Sequence, residues 1–223
     1  MCDLYQAAPE LHEAGVHVMS SDEKTGIQAL ERKHPDKPMQ LGRVKLLEHE
    51  YIRHGTQALI ANLEIATGRC IAPSIGDTRK EEDFLAHIEQ TVNLDPEGSW
   101  IFIVDQLNTH KSESLVRFVA QACGIEDNLG VKGKEGILAS QATRAVFLQE
   151  ETHRIRFVYT PTHTSWLNQI EIWFSILVRR LLKRGSFSSV NELNQRILAF
   201  IDYFNKTMAK PFKWTYAGRP LQA

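Results

Sequence analysis

The chain has 223 residues, 43% of them apolar, enough for the core of one α/β domain and cramped for two. No apolar run approaches the ~18 residues of a membrane helix, and the start, MCDLYQAAPELHEAG, lacks a basic segment followed by an apolar one; no membrane partner is expected, and the location is read as cytoplasmic. The net charge of −1 conceals an asymmetry, since residues 151–223 carry a net +7 and residues 1–150 a net −8, so a basic face for nucleic acid can coexist with clustered acids.

In chain order, residues 15–23 alternate apolar and polar and read as a strand, with Asp22 in phase with Val16 and Val18. A second extended region, TQALIANLEIATGRCIAPSI, is divided by Thr67-Gly68, a hairpin signal. Glu81, Glu82 and Asp83 precede FLAHIEQTV as acids precede a helix, which Pro96-Glu-Gly ends. Residues 100–104 form a buried strand, and Asp105 at its end faces the side where α/β proteins place their sites. A lone Asp there also suits a turn. Asn108 and His110 follow in a loop, and Ser112 caps a helix over 113–123. Residues 124–149, rich in glycine and charge, match no phosphate loop and read as a flexible insertion. The three cysteines are widely spaced, which suggests free thiols rather than a disulfide framework or a zinc site.

IRFVY at 155–159 reads as a strand, and TPTHTS leads to a helix capped by Thr164 or Ser165. At 100° per residue from Trp166, positions 166, 167, 170, 173, 174, 177, 178 and 181 form an apolar stripe. Glu171 falls on its margin, half desolvated, a costly place unless the carboxylate gains a metal or cationic partner. Arg179 and Lys183 lie on the polar side; with Arg180 and Arg184 they form either a DNA-tracking cluster or a solvated face.

Asp22, Asp105 and Glu171 thus supply a strand acid, a strand-end acid and a helix acid able to converge on divalent metal. The segments VHVMSSDEKTGIQALER, EYIRHGTQALIANLEIATGR, IVDQLNTHKS, FVYTPTHTSWLNQIEIWFSILVRRLLKRGSFSSVNEL and PFKWTY resemble the bacterial insertion-sequence transposases of the mariner superfamily. They run in order from residue 16 to 216. The resemblance implies a ribonuclease H-like mixed sheet flanked by helices, in one catalytic domain over 1–223, with Asp22, Asp105 and Glu171 as its Asp-Asp-Glu triad. Gln106 stands where the family commonly has Asn. The family's N-terminal helix-turn-helix region has no counterpart here, so the expectation is the catalytic part of a split or truncated transposase.

What the resemblance implies about chemistry is two-metal phosphoryl transfer, with two Mg²⁺ or Mn²⁺ ions held by the triad. Double-stranded DNA, as terminal inverted repeats and as target, is the implied partner; the reading admits a homodimer and a separate helix-turn-helix part. Asn108, His110, His163 and Asn168 are read as supporting or DNA-contacting groups. Two other functions stay open: a degenerate fragment that binds DNA or a partner, and a general ribonuclease H-type nuclease.

Overall fold

The computed structural model describes residues 1–216 apart from Lys45, Leu47 and His163. A five-stranded sheet has the order β3-β2-β1-β4-β5, formed by β1 (Val16–Arg32), β2 (Tyr51–Glu64), β3 (Cys70–Gly76), β4 (Ser99–Val104) and β5 (Ile155–Tyr159). β1, β2 and β3 pair antiparallel, while β4 and β5 run parallel to β1, giving the expected mixed sheet. Antiparallel neighbours need only tight connections, and Gly68, at φ +70 between β2 and β3, supplies one. A Cβ there would lie 2.0 Å from the carbonyl oxygen of Lys210, so glycine also admits the close approach of that backbone.

Among the described residues six α-helices cover the sheet: α1 (Cys2–Glu13), α2 (Glu81–Val92), α3 (Glu113–Ala122), α4 (Gln141–Gln149), α5 (Ile170–Leu177) and α6 (Val190–Thr207). Because strand side chains alternate faces, β1 feeds two cores. Val18 packs with Tyr5 of α1, Trp173 of α5 and Ile197 of α6. Met19 packs on the other face with Phe84 of α2, Val116 of α3 and Leu148 of α4. Ser112 caps α3 as expected, its Oγ accepting from the Leu115 N–H at 3.2 Å, a contact worth about 1 kcal/mol. Among the described residues no helix is long and apolar enough to cross a membrane.

Four sequence expectations need correction. The strand read as 15–23 continues to Arg32, because β2 pairs along its whole length with register shifts between Lys24 and Ile27 and between Ala29 and Leu30. Residues 124–149 are not a free insertion: Leu138 and Leu148 are fully buried, and Arg144 donates to the carbonyls of Lys111 and Leu138. The helix expected from Trp166 is broken. A 3-10 turn spans Ser165–Leu167, α5 starts at Ile170, and a π-turn follows at Val178–Leu182, so Trp166 leaves the stripe and is 56% exposed. Glu171 is consequently exposed in the first turn of α5 rather than half desolvated.

Candidate active site

Sheet register brings the first two acids together. β1 and β4 pair with Ser20 opposite Ile103; Asp22 stands two residues further along β1, and Asp105 one residue past the end of β4. Neighbouring strands lie about 4.8 Å apart, so the two backbones are adjacent at this point. Asp22 shares the face of Val18 and Ser20, the face on which α5 packs, so the third acid arrives from above it.

A polar clip fixes that arrival. The hydroxyl of Ser20 donates to Asn168 Oδ1 and accepts from the N–H of Ile170 at 2.8 Å, holding the first residue of α5. The Asn168 amide donates to the Ser21 carbonyl at 3.0 Å and to Asp22 Oδ2 at 3.3 Å. Asn168 is fully buried. It joins the strand that carries Asp22 to the turn from which Glu171 projects, and the Glu171 N–H donates to its carbonyl at 3.1 Å.

The acids feel one another. Burial, above all, pushes the Asp22 carboxyl up to about 7; the N–H of Glu23 acts against it, and the charges of Asp105, Glu23 and Glu171 add to it. Asp105 goes the other way. Burial raises it, yet the hydrogen bond from His110, the Leu107 N–H and the charges of His110 and Arg79 together hold it below the usual carboxylate range. Its Oδ1 lies 2.9 Å from His110 Nδ1.

His110 links two acids. Its side chain is fully buried, with Nε2 3.2 Å from Glu23 Oε1. Burial lowers its basicity, but the bonds to Asp105 and Glu23 prevail and raise it to about 9, so the ring is an imidazolium at neutral pH. His110 and Asn168, expected as supporting or DNA-contacting groups, are both fully buried and bonded to the acids. Asn108 is exposed in the 3-10 turn Asn108–Lys111, and His163 lies outside the described residues. Gln106 bridges the site's loops, donating to the Thr160 carbonyl at 2.7 Å and accepting from Lys111.

The basic cluster divides. Arg179 and Arg180 lie in the π-turn after α5 and Lys183 and Arg184 just beyond it, but Arg179 lines a groove with Lys24 and Glu171, whereas Lys183 and Arg184 line another with Arg32, Asp36 and Glu48. The sequence reading missed Ser20, Glu23, Lys24 and Arg79. Glu23 carried a signal: beside Asp22, on a strand, it must face the opposite side. A larger cavity of about 950 Å³ opens beside α3 and α4, lined by Ile137, Val146 and Phe147, and none of the three acids borders it.

The DDE superfamily endonuclease family matches residues 17–194, a span that contains all three acids. The chain belongs to that family. Among solved structures it is similar to the Mos1 mariner paired-end complex with Mn, at TM-score 0.53 and 10% identity over 91% of this chain and 54% of that one. It is likewise similar to the Mos1 transposase paired-end complex with left transposon end, at TM-score 0.53 and 10% identity over 90% and 52% of the two chains. The chain therefore spans about half the length of these transposases, and the likeness establishes the ribonuclease H-like fold of this family member. A search of curated proteins found no match.

Proposed function

We propose that the chain is the catalytic domain of a DNA transposase, nicking DNA and transferring strands at Asp22, Asp105 and Glu171. What supports this reading is the placing of Asp22 on β1, Asp105 just past the end of β4 and Glu171 in the first turn of α5, with the charges of Asp105 and Glu171 both acting to raise Asp22. The residues fit a hard divalent cation. Asp22 is 7% exposed, its neighbours are acids, and the three proposed ligands offer oxygen only.

Asp22, Asp105 and Glu171 would hold Mg²⁺ or Mn²⁺, two ions in the fullest reading, which when bound supply Lewis acidity for an attacking water or 3′-hydroxyl and charge stabilisation for the leaving oxygen. The imidazolium of His110 keeps Asp105 ionised and fixes its rotamer. Asn168 orients Asp22 while Ser20 seats α5, so the spacing of the acids is set before DNA arrives. Lys24, Arg79 and Arg179 surround the acids with positive charge suited to phosphates. Double-stranded DNA carrying the element's ends is the proposed substrate; a homodimer and a separate helix-turn-helix part are proposed partners.

The test is a Mn²⁺-dependent nicking assay on DNA bearing the element's end, with any upstream part supplied, beside an RNA–DNA hybrid. Cleavage of the DNA, abolished in a folded Glu171→Gln chain, is expected. Cleavage of the hybrid alone would overturn the transposase reading.

A further inference from the structure

A second group of ligating side chains lies at the other end of β1. His12 stands in the last turn of α1, His17 near the start of β1, and Glu64 at the end of β2. The ligating atoms of these three residues all lie within 4.8 Å of one another, the one such group of His, Cys, Asp and Glu found among the described residues. Glu64 Oε1 is 3.6 Å from His12 Nδ1 and 3.0 Å from His17 Nδ1. Ligands about 2.0–2.1 Å from a tetrahedral zinc ion stand about 3.3 Å apart, and the two distances bracket that value.

Two of the three donors are also oriented from behind. His17 directs Nε2 to Asp95 Oδ2 at 3.2 Å, a carboxylate partner of the kind that orients a metal-binding imidazole, while Nδ1 is hydrogen-bonded to Glu64 Oε1 at 3.0 Å, a contact that a shared ion would replace. Its ring is stacked on Trp100 at 4.2 Å between centroids. Glu64 accepts the Thr67 hydroxyl on Oε2 at 2.6 Å, which leaves Oε1 turned to the two histidines. His12 Nδ1 is buried without a hydrogen-bond partner. A buried ring nitrogen with no partner costs stability, and a metal would satisfy it.

We propose that His12, His17 and Glu64 form a transition-metal site, best suited to Zn²⁺, distinct from the three acids and roughly 17 Å away, five strand residues at about 3.3 Å each. Two imidazoles and one carboxylate are a three-ligand zinc set, with water in the fourth position. Mg²⁺ prefers all-oxygen surroundings and is a poor match. The bound ion would tie the end of α1 to the paired ends of β1 and β2, and binding would release any proton on the two Nδ1 atoms.

Calorimetry of the full chain with Zn²⁺ in excess Mg²⁺, which competes for the acids but not for imidazole, tests the site. One tight equivalent is expected, weakened about 100-fold or more by His12→Ala and by Glu64→Gln, and about tenfold by Asp95→Asn. Co²⁺ should give the visible absorption of a tetrahedral ion, lost in His12→Ala, whose position at a part-exposed helix end leaves folding intact by circular dichroism. Glu64→Gln preserves the side-chain volume if His12→Ala does not fold. No Zn²⁺ binding, or binding equal in the folded variants and the parent, would overturn the proposal.

Discussion

The proposed triad draws its carboxylates from a strand, a strand end and a helix and offers only oxygen, whereas around His17 two imidazoles and one carboxylate arrive from a helix end and two strand ends. The first group is charged alike and braced by an imidazolium from the opposite face; the second is compact and braced by Asp95 and Thr67. The difference lies in what holds each together without an ion. Like charges need a cation, or a raised pKa, to share a site, while histidine and carboxylate already attract. The proposed triad would therefore gain more from a bound cation than the His12 group would.

The largest effect that separates the two ends is loss of nicking in Glu171→Gln, expected at about 10³-fold or more, since metal-assisted charge stabilisation is worth several kcal/mol. Zn²⁺ binding should be unchanged. A folded Glu171→Gln chain that nicks at the parental rate would remove Glu171 from the triad.

Next in size is His110→Gln, expected to lower stability by about 3 kcal/mol in urea unfolding, because it strands Glu23 and Asp105 without their buried cation. The pH dependence has a definite sign: His110 is raised from 6.5 to about 9, so its contribution is full below 6.5 and lost as pH rises through 9. Equal stability of parent and variant at pH 6 would deny the bridge.

Asp22→Asn should act oppositely. Its carboxyl is raised from 3.8 to about 7, so ionisation costs the metal-free fold stability as pH climbs through that window. The variant should unfold roughly 4–8 °C higher than the parent at pH 8, about 2 kcal/mol after loss of the Asn168 contact, and no higher below pH 4. A gap independent of pH would mean that Asp22 is not desolvated.

The smallest effect concerns charge at the rim. Replacing Arg179 and Arg180 with Ala should weaken DNA binding alike for all sequences and reduce the slope of log affinity against log salt by about two. An unchanged slope would assign the pair to a solvated helix face.

The strands were legible from their apolar runs, and the three candidate acids stand out in the sequence because each closes or interrupts such a run, a pattern that survives without knowledge of the fold. Glu171 is legible even though its helix is not: the break at Asn168 and Gln169, made by the Ser20 clip, lies in tertiary contacts that no periodicity records. α4 escapes because it buries only Arg144 and Leu148, too little to print a stripe. α1 holds Pro9 and lacks a side-chain cap, so the signals of a helix start are missing, and His12 goes with it. The His12 group is hidden for a second reason. Its members sit at 12, 17 and 64, and only the pairing of β1 with β2 carries Glu64 to the histidines.

Asp22 and Glu23 look to opposite sides of one strand, and this makes the stretch from Val18 to Lys24 intolerant of length change in a way that composition would never reveal. Deleting one residue between Val18 and Asp22 would still offer a carboxylate to the proposed triad, since Glu23 would take the vacated place. Lys24 would then turn toward His110, setting cation against cation in a spot sealed from water. An acid would stand where an acid stood, while the molecule would lose the imidazolium beside Asp105.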